Sequence, residues 1–356
     1  MRSRIRSSER IGWLALALAI ASVASADEPA KWLERMNHAL TTLNYDGTFA
    51  HWEGGKVEML HIIHRFQNGT VSERLESLDG SGREFIRTGS QLTCYLPDRH
   101  VVLVEHTPAR VSLLGGFPAI DPRTARFYDI KEVARMRFNR RSTHLITVMP
   151  RDQYRYGYRL WIDDSTAMPL KTQLCDAHGN VIEQIVFANL EIRRHIPDSA
   201  FRTDLPTAGF RWLRNDSAPL GETVAQSGTV WNADHLPPGF HMTVRAAQTM
   251  PGKPGPVDHL VFSDGLASVS VFVETRAVTS QGRQHMVESA HVGSSYAFST
   301  VIDGHKVTAV GEVPPATVRF IADSVKAEKV SGPLPQPAPL GALPTGTFAH
   351  GPPPPR

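Results

Sequence analysis

The sequence predicts an α+β protein: a long antiparallel sheet with a covering helix, then a smaller α+β domain. Three observations carry this. Residues 156–187, YGYRLWIDDSTAMPLKTQLCDAHGNVIEQIVF, read as three consecutive strands. In them Tyr158, Leu160 and Ile162 alternate with Arg159, Trp161 and Asp163, and turns fall at Asp163-Asp164-Ser165 and Asp176 to Asn180. Period-two apolar spacing broken by Asp, Gly, Asn and Pro marks an antiparallel meander. Similar runs fill residues 45–106, punctuated by Gly-Gly, Asn-Gly and Asp-Gly, the residues hairpins require. Periodicity then fails over 197–228, which holds Pro197, Pro206, Gly209, Pro219 and Gly221, and resumes in a shorter unit.

The chain opens with an expected secretory signal over residues 1–26. Arg2, Arg4, Arg6 and Arg10 precede an apolar run from Ile11 to Val23, and Ala24-Ser25-Ala26 matches the small-x-small cleavage pattern. The run is short for a membrane span. The signal holds four Arg and Glu9; without them 38 Lys+Arg and 35 Asp+Glu become 34 and 34. A near-neutral mature chain removes the electrostatic basis for nucleic-acid binding. A soluble periplasmic protein is the expectation.

From Asp27 the chain predicts a helix, with Trp32, Leu33, Met36, Leu40 and Leu43 near one face. The strands are YDGTFAHWE, KVEMLHIIHRF, VSERLESLD, REFIRTG, QLTCYLP and HVVLVEH. Residues 107–132 mix apolar side chains with Gly and Pro and read as a loop with short helices. Strands return at Arg135–Phe138 and Thr143–Met149, lead into the meander, and end with Phe187–Ile192. The first domain is placed at 27–205, a linker at 206–228 and the second domain at 229–328. That domain holds a hairpin turning at Ser263-Asp264-Gly265, turns at Gly293 and Asp303-Gly304, and a helix after Pro314-Pro315 with Val318, Ile321, Ala322 and Val325 at helical spacing. Residues 329–356 form a Pro-rich tail with no core-forming pattern.

Motifs for chemistry are weak. Ser263-Asp264-Gly265 is not a nucleophile elbow, and Gly54-Gly55-Lys56 lacks the rest of a phosphate loop. His61 and His64, three apart on a strand, point to opposite faces and cannot share a metal. Asp163-Asp164 lacks calcium-loop spacing and reads as a turn initiator. No nucleophile–base set argues for a hydrolase, and no cofactor is implied. Trp161 and Trp212 are candidates to line a ligand cavity or to pack a core. Cys94 and Cys175 admit two readings in an oxidising compartment, a disulfide or two separate buried thiols.

Six segments in collinear order resemble the MucB/RseB family: WLERMNHALTTLNYDGTF, REFIRTGSQLTCYLP, YRLWIDDSTAMPLKTQLCDAHGNVIEQIVF, WNADHLPPGF, HLVFSDGLASVSVFVE and VTAVGEVPPATVRFIADSV. The resemblance implies an unclosed antiparallel β-barrel similar to the lipoprotein carriers LolA and LolB, beside a smaller C-terminal domain. It implies a periplasmic regulator of a sigma-E (AlgU-type) envelope-stress sigma factor. Such a regulator binds the periplasmic part of a membrane-spanning RseA/MucA-type anti-sigma factor, protects it from proteolysis, and releases it with lipopolysaccharide or another acyl-chain ligand. A lipid or lipoprotein carrier is the alternative, and the second domain argues against it. No catalytic residue is implied. The candidates for a lipid groove are Leu113, Leu114, Phe117 and Trp161, with the Leu113–Phe117 loop either a lid or pinned on the core. The interdomain or partner candidates are Trp231, Leu236, Pro237 and Phe240.

Overall fold

Helix α1 (Glu28–Thr42) begins the part of the chain that the computed structural model describes: residues 28–106, 112–114, 122–215, 229–249, 255–277 and 288–329. The expected signal segment, Phe117 and the tail beyond Lys329 lie outside the described residues. Eleven strands follow α1 in the antiparallel part of one large sheet: β1 (Tyr45–Glu53), β2 (Lys56–Gln67), β3 (Thr70–Ser77), β4 (Glu84–Thr88), β5 (Gln91–Leu96), β6 (Val101–His106), β7 (Tyr128–Phe138), β8 (Arg141–Pro150), β9 (Gly157–Asp163), β10 (Pro169–Cys175) and β11 (Val181–Ile192). The spatial order, completed by β12 (Arg211–Asn215), is β12-β6-β5-β4-β3-β2-β1-β11-β10-β9-β8-β7. The edges β12 and β7 do not pair with each other, so the barrel is unclosed.

Local chemistry fixes the register. Asn68-Gly69 (φ 51° and 77°) closes the β2–β3 hairpin at the Gln67–Thr70 pair, the left-handed geometry a two-residue turn needs. Between β9 and β10, Asp163 Oδ1 accepts from the Ser165 and Thr166 backbone N–H groups at 3.0 and 2.8 Å. Burial opposes ionisation there, yet bonds from Ser165 and Thr166 and nearby Arg141 hold the carboxyl below its usual range. The turn role expected for Asp163 is the one it has.

The inward face of the sheet carries Tyr45, Phe49, Leu60, Ile62, Ile146, Val148, Leu160, Ile162, Leu170 and Phe187, and α1 lays Trp32, Leu33, Met36 and Leu40 against it. Burying four such side chains stabilises the helix by roughly 1.5–3 kcal/mol each. The helix is also pinned by a polar contact: the His144 ring stacks on Trp32 with centroids 3.8 Å apart, while its nitrogens meet Glu132 and Asp164 at 3.0 and 2.7 Å.

Three elements differ from the sequence reading. Strand β7 starts at Tyr128, inside the expected 107–132 loop, and a four-residue helix α2 (Pro122–Ala125) precedes it. The inward Tyr128 is buried and pairs with Pro150, but the surrounding sequence mixes charges and hides the alternation. Residues 211–215, expected within the linker, form β12, which pairs in parallel with β6 from Arg211–Val101 to Asn215–Glu105. Val325, expected to extend the final helix, instead begins a strand, β20 (Val325–Lys329).

The second domain is a two-stranded sheet of β13 (Thr229–Ala233) and β20, and a six-stranded sheet. The latter is formed by β14 (His241–Thr249), β15 (Pro256–Ser263), β16 (Ser268–Ala277), β17 (Glu288–Val292), β18 (Ser295–Ile302) and β19 (His305–Gly311), in the order β14-β15-β16-β19-β18-β17. Helix α3 (Pro315–Asp323) packs Val318, Ile321 and Ala322 onto Leu260, Phe262, Val271 and Val307. Cys94 and Cys175 are both buried free thiols, six strand positions apart in the sheet. Of the two readings left open, the structure has the separate thiols, because β5 and β10 belong to opposite halves of the sheet.

Candidate functional site

The alternation that builds the sheet leaves an apolar groove on its inward face. A cavity of about 200 Å³ is lined by Met36 and Leu40 of α1, Leu160 of β9, Leu174 of β10, Ile185 and Phe187 of β11, and Leu114. Its polar end is made by Tyr158, Gln184, Glu183 and, from the second domain, Glu312. The second domain therefore forms part of the cavity wall.

Leu113 and Leu114 are half-buried against the core. Their backbone hangs on a buried charge: Glu73 accepts from the Leu113 N–H at 3.0 Å and from Ser112 Oγ at 2.6 Å. Glu73 also pairs with buried Arg87 at 2.7 Å. His64 lies 3.8 Å from Glu73, stacks on Tyr45 with centroids 4.7 Å apart, and is held below its usual pKa chiefly by burial. Of the two readings for this loop, residues 112–114 are pinned, and Leu114 still lines the groove.

Trp161 does not line the groove. Its neighbours Leu160 and Ile162 are inward, so strand geometry turns Trp161 to the outer face, where Lys171 Nζ sits 4.6 Å from its ring. Trp212 lies on the edge strand β12, 48% exposed and edge-on to Tyr95.

The domains meet at a second polar site. Arg155, fully buried, donates from Nε to Asp264, from Nη1 to Asp152 and from Nη2 to the Pro238 carbonyl. Its guanidinium faces the rings of Phe127 at 4.7 Å, Phe240 at 5.2 Å and Tyr128 at 5.8 Å. Asp264 also accepts from Tyr128 Oη at 3.1 Å and from the Leu266 and Ala267 N–H groups at 2.9 and 2.7 Å. Burial and the adjacent Asp264 push the Tyr128 hydroxyl pKa upward. Thr124 Oγ1 donates to the Asp264 carbonyl at 2.6 Å, and Thr317 Oγ1 to the Tyr154 carbonyl at 2.9 Å.

Of the interdomain candidates, Phe240 reaches this seam, and Pro237 accepts the turn bond from the Phe240 N–H at 3.0 Å. Leu236 packs on the second domain's core, and Trp231 is buried within it, edge-on to His305. Sequence reasoning missed Arg155 and Asp264. Asp264 reads as an ordinary turn residue, and only the partner 109 positions away shows its second role.

An unclosed sheet with an apolar groove, and a second domain that helps wall the groove and is held to the sheet by a buried ion pair, defines a two-domain binding protein. Comparison with known proteins gives the family. The chain belongs to the MucB/RseB family: residues 28–205 match its N-terminal domain and residues 223–326 its C-terminal domain. The sigma factor AlgU regulatory protein MucB of Pseudomonas aeruginosa is 30% identical over 329 residues, covering 91% of this chain and 98% of that protein. The sigma-E factor regulatory protein RseB of Escherichia coli K12 is 30% identical over 323 residues, covering 88% and 97%. Among solved structures, the P. aeruginosa MucA/MucB complex superposes with a TM-score of 0.65 at 28% identity, covering 85% of this chain and 100% of that one. A crystal structure of MucB gives 0.54 at 28% identity, covering 85% and 99%.

Proposed function

We propose that this chain binds the periplasmic part of a membrane-spanning anti-sigma factor of the RseA/MucA type and shields it from proteolysis. Lipopolysaccharide or another acyl-chain ligand in the groove favours release. The protein acts in the periplasm as a binding protein with no chemistry of its own. The observation that carries this reading is the pair of structural likenesses. Identity and coverage of this chain are the same for the two MucB structures, yet the superposition is better on the complex with MucA, 0.65 against 0.54. Equal identity with unequal superposition favours a difference in domain arrangement, and the arrangement here is nearer to that of a partner-bound relative.

The groove supports the ligand-sensing part. About 200 Å³ is the liquid volume of roughly seven waters, room for the end of an acyl chain. Because Glu312 of the second domain helps wall it, an occupant bears on the domain arrangement. Two ligands that prefer different arrangements antagonise each other, by reciprocal linkage.

The test is calorimetric titration of the mature chain with the periplasmic domain of a MucA-type anti-sigma factor. Saturable one-to-one binding, weakened as lipopolysaccharide is added, is expected. No binding overturns the partner, and binding unaffected by lipopolysaccharide overturns the release step.

A further inference from the structure

The second contact between the domains is built almost wholly from acids. In the register of β1 and β11, Glu53 stands directly opposite Glu183, a like-charge cross-strand pair that opposes folding when both are ionised. The turn between β17 and β18 is set onto this pair. Ser294 N–H donates to Glu53 Oε1 at 2.9 Å. Ser294 Oγ lies 3.1 Å from Glu53 Oε1, 3.2 Å from Glu183 Oε2 and 2.9 Å from Glu312 Oε1. Gly293 leaves no space there: a Cβ would stand 1.8 Å from Glu53 Oε1. Three carboxyl groups thus converge on one hydroxyl, two from the first domain and one from the second.

A hydroxyl has one proton to donate. Three ionised carboxylates around it leave two oxygens facing its lone pairs and facing one another about a buried hydroxyl, with Glu53 and Glu183 half-buried and Glu312 at the solvent edge. The cluster is satisfied when a further proton lies between Glu312 and Glu183, which hydrogen-bond to each other. We propose that the seam between the domains is a proton-operated latch: closing it takes up a proton at the Glu183–Glu312 pair, and raising the pH loosens it. This goes beyond the binding role proposed above and does not depend on which partner is held.

The surrounding groups agree. Glu312 is faced by Glu183 of β11, Glu53 of β1, and Tyr158 and Tyr156 from β9 and its lead-in. His51 of β1 stands behind Glu183, bonded to it at 2.8 Å, with Glu58 of β2 beyond. Partial desolvation at the seam and the Glu183 charge push Glu312 up to about 7, although the residue stays open to solvent on one side. Burial works against ionisation of Glu183 too, but the His51 bond holds it below its ordinary value, and that same bond raises His51. His51 and Glu183 belong to one sheet, so their bond survives parting of the domains. Only Glu312 and Ser294 leave. The Glu312 pKa is raised in the closed state. Its contribution to closure is therefore fully present below about 4.5, the ordinary glutamate value, and is lost as pH rises through about 7.

The experiment is hydrogen exchange of the segment 289–297, which contains the Ser294 amide. It is followed on the full mature chain from pH 5 to 8 and corrected for intrinsic exchange, with small-angle scattering alongside. Protection should fall by on the order of tenfold to a hundredfold over that range, with an increase in radius of gyration. Glu312→Gln keeps the shape and removes the titration, so its protection should stay high and flat. A wild-type profile flat with pH, or a Glu312→Gln profile as steep as wild type, overturns the proposal. The midpoint of thermal unfolding for each domain, measured at every pH, separates opening of the seam from unfolding, and loss of protection that tracks unfolding also overturns it.

Discussion

Replacing Arg155 with methionine keeps the apolar stem of the side chain and deletes its charged guanidinium. The residue is fully buried, and three of its donors serve Asp264, Asp152 and the Pro238 carbonyl. Removing one partner of a buried ion pair costs about 3–5 kcal/mol, because the other charge stays buried without its counterion. Asp264 retains the Tyr128 hydroxyl and two backbone N–H groups, which places the cost near the lower end. About 3 kcal/mol is roughly a hundredfold weakening of domain closure. Scanning calorimetry should show the shared unfolding transition separating into two, the smaller domain melting first. Adding Asp264→Leu to Arg155→Met should recover part of the loss, since an apolar replacement of a whole buried pair is often neutral. A single-variant loss below about 1 kcal/mol, or a double variant as costly as the two single changes added, would refute the assignment of this pair as the lock.

Gly239→Ala should open the same seam by sterics alone. Gly239 has φ +89°, and an added Cβ would sit 2.2 Å from Phe127 Cε2. Backbone strain of about 1–3 kcal/mol plus the clash should lower the melting temperature by several degrees; an unchanged melting curve counts against it. The thiols give a second check. Burial pushes Cys94 up to about 11, with Glu105 adding to it, and burial raises Cys175 as well. Iodoacetamide at neutral pH should leave the native protein unlabelled and add two labels per chain to unreduced, denatured protein. A denatured chain that takes no label is bridged after all.

Much of the large sheet was legible because its information is local. Asn68-Gly69 and Gly54-Gly55 mark hairpins by composition alone, and Leu160 and Ile162 declare their face by alternation. Strand β12 was not legible. RWLRN is short and exposed at its first four positions, and pairs with a strand about 110 residues earlier, so neither period nor burial announces it. Leu114 could be read as a groove residue from its apolar loop, whereas Trp161 was misassigned because aromatic character says nothing about which side of a strand a side chain takes. The lock and the acid latch were invisible for a related reason. Arg155, Asp264, Glu53, Glu183 and Glu312 are ordinary surface residue types, and only the docking of two domains brings Asp264 to Arg155 and Glu312 to Glu53 and Glu183.

The central pairing of the sheet has a consequence for how the protein is made. Strand β1 lies between β2 and β11, and Tyr45 pairs with Ile192, about 150 residues away in a topology whose long-range contacts slow folding. At roughly 5–20 residues per second of synthesis, β1 emerges some ten to thirty seconds before β11 exists, longer for β12. During that interval one edge of β1 is open to pairing with any other extended chain. Synthesis therefore delivers half a sheet first, and its completion waits on the segment carrying Phe187 and Leu190, whose side chains close the core over Phe49 and Tyr45.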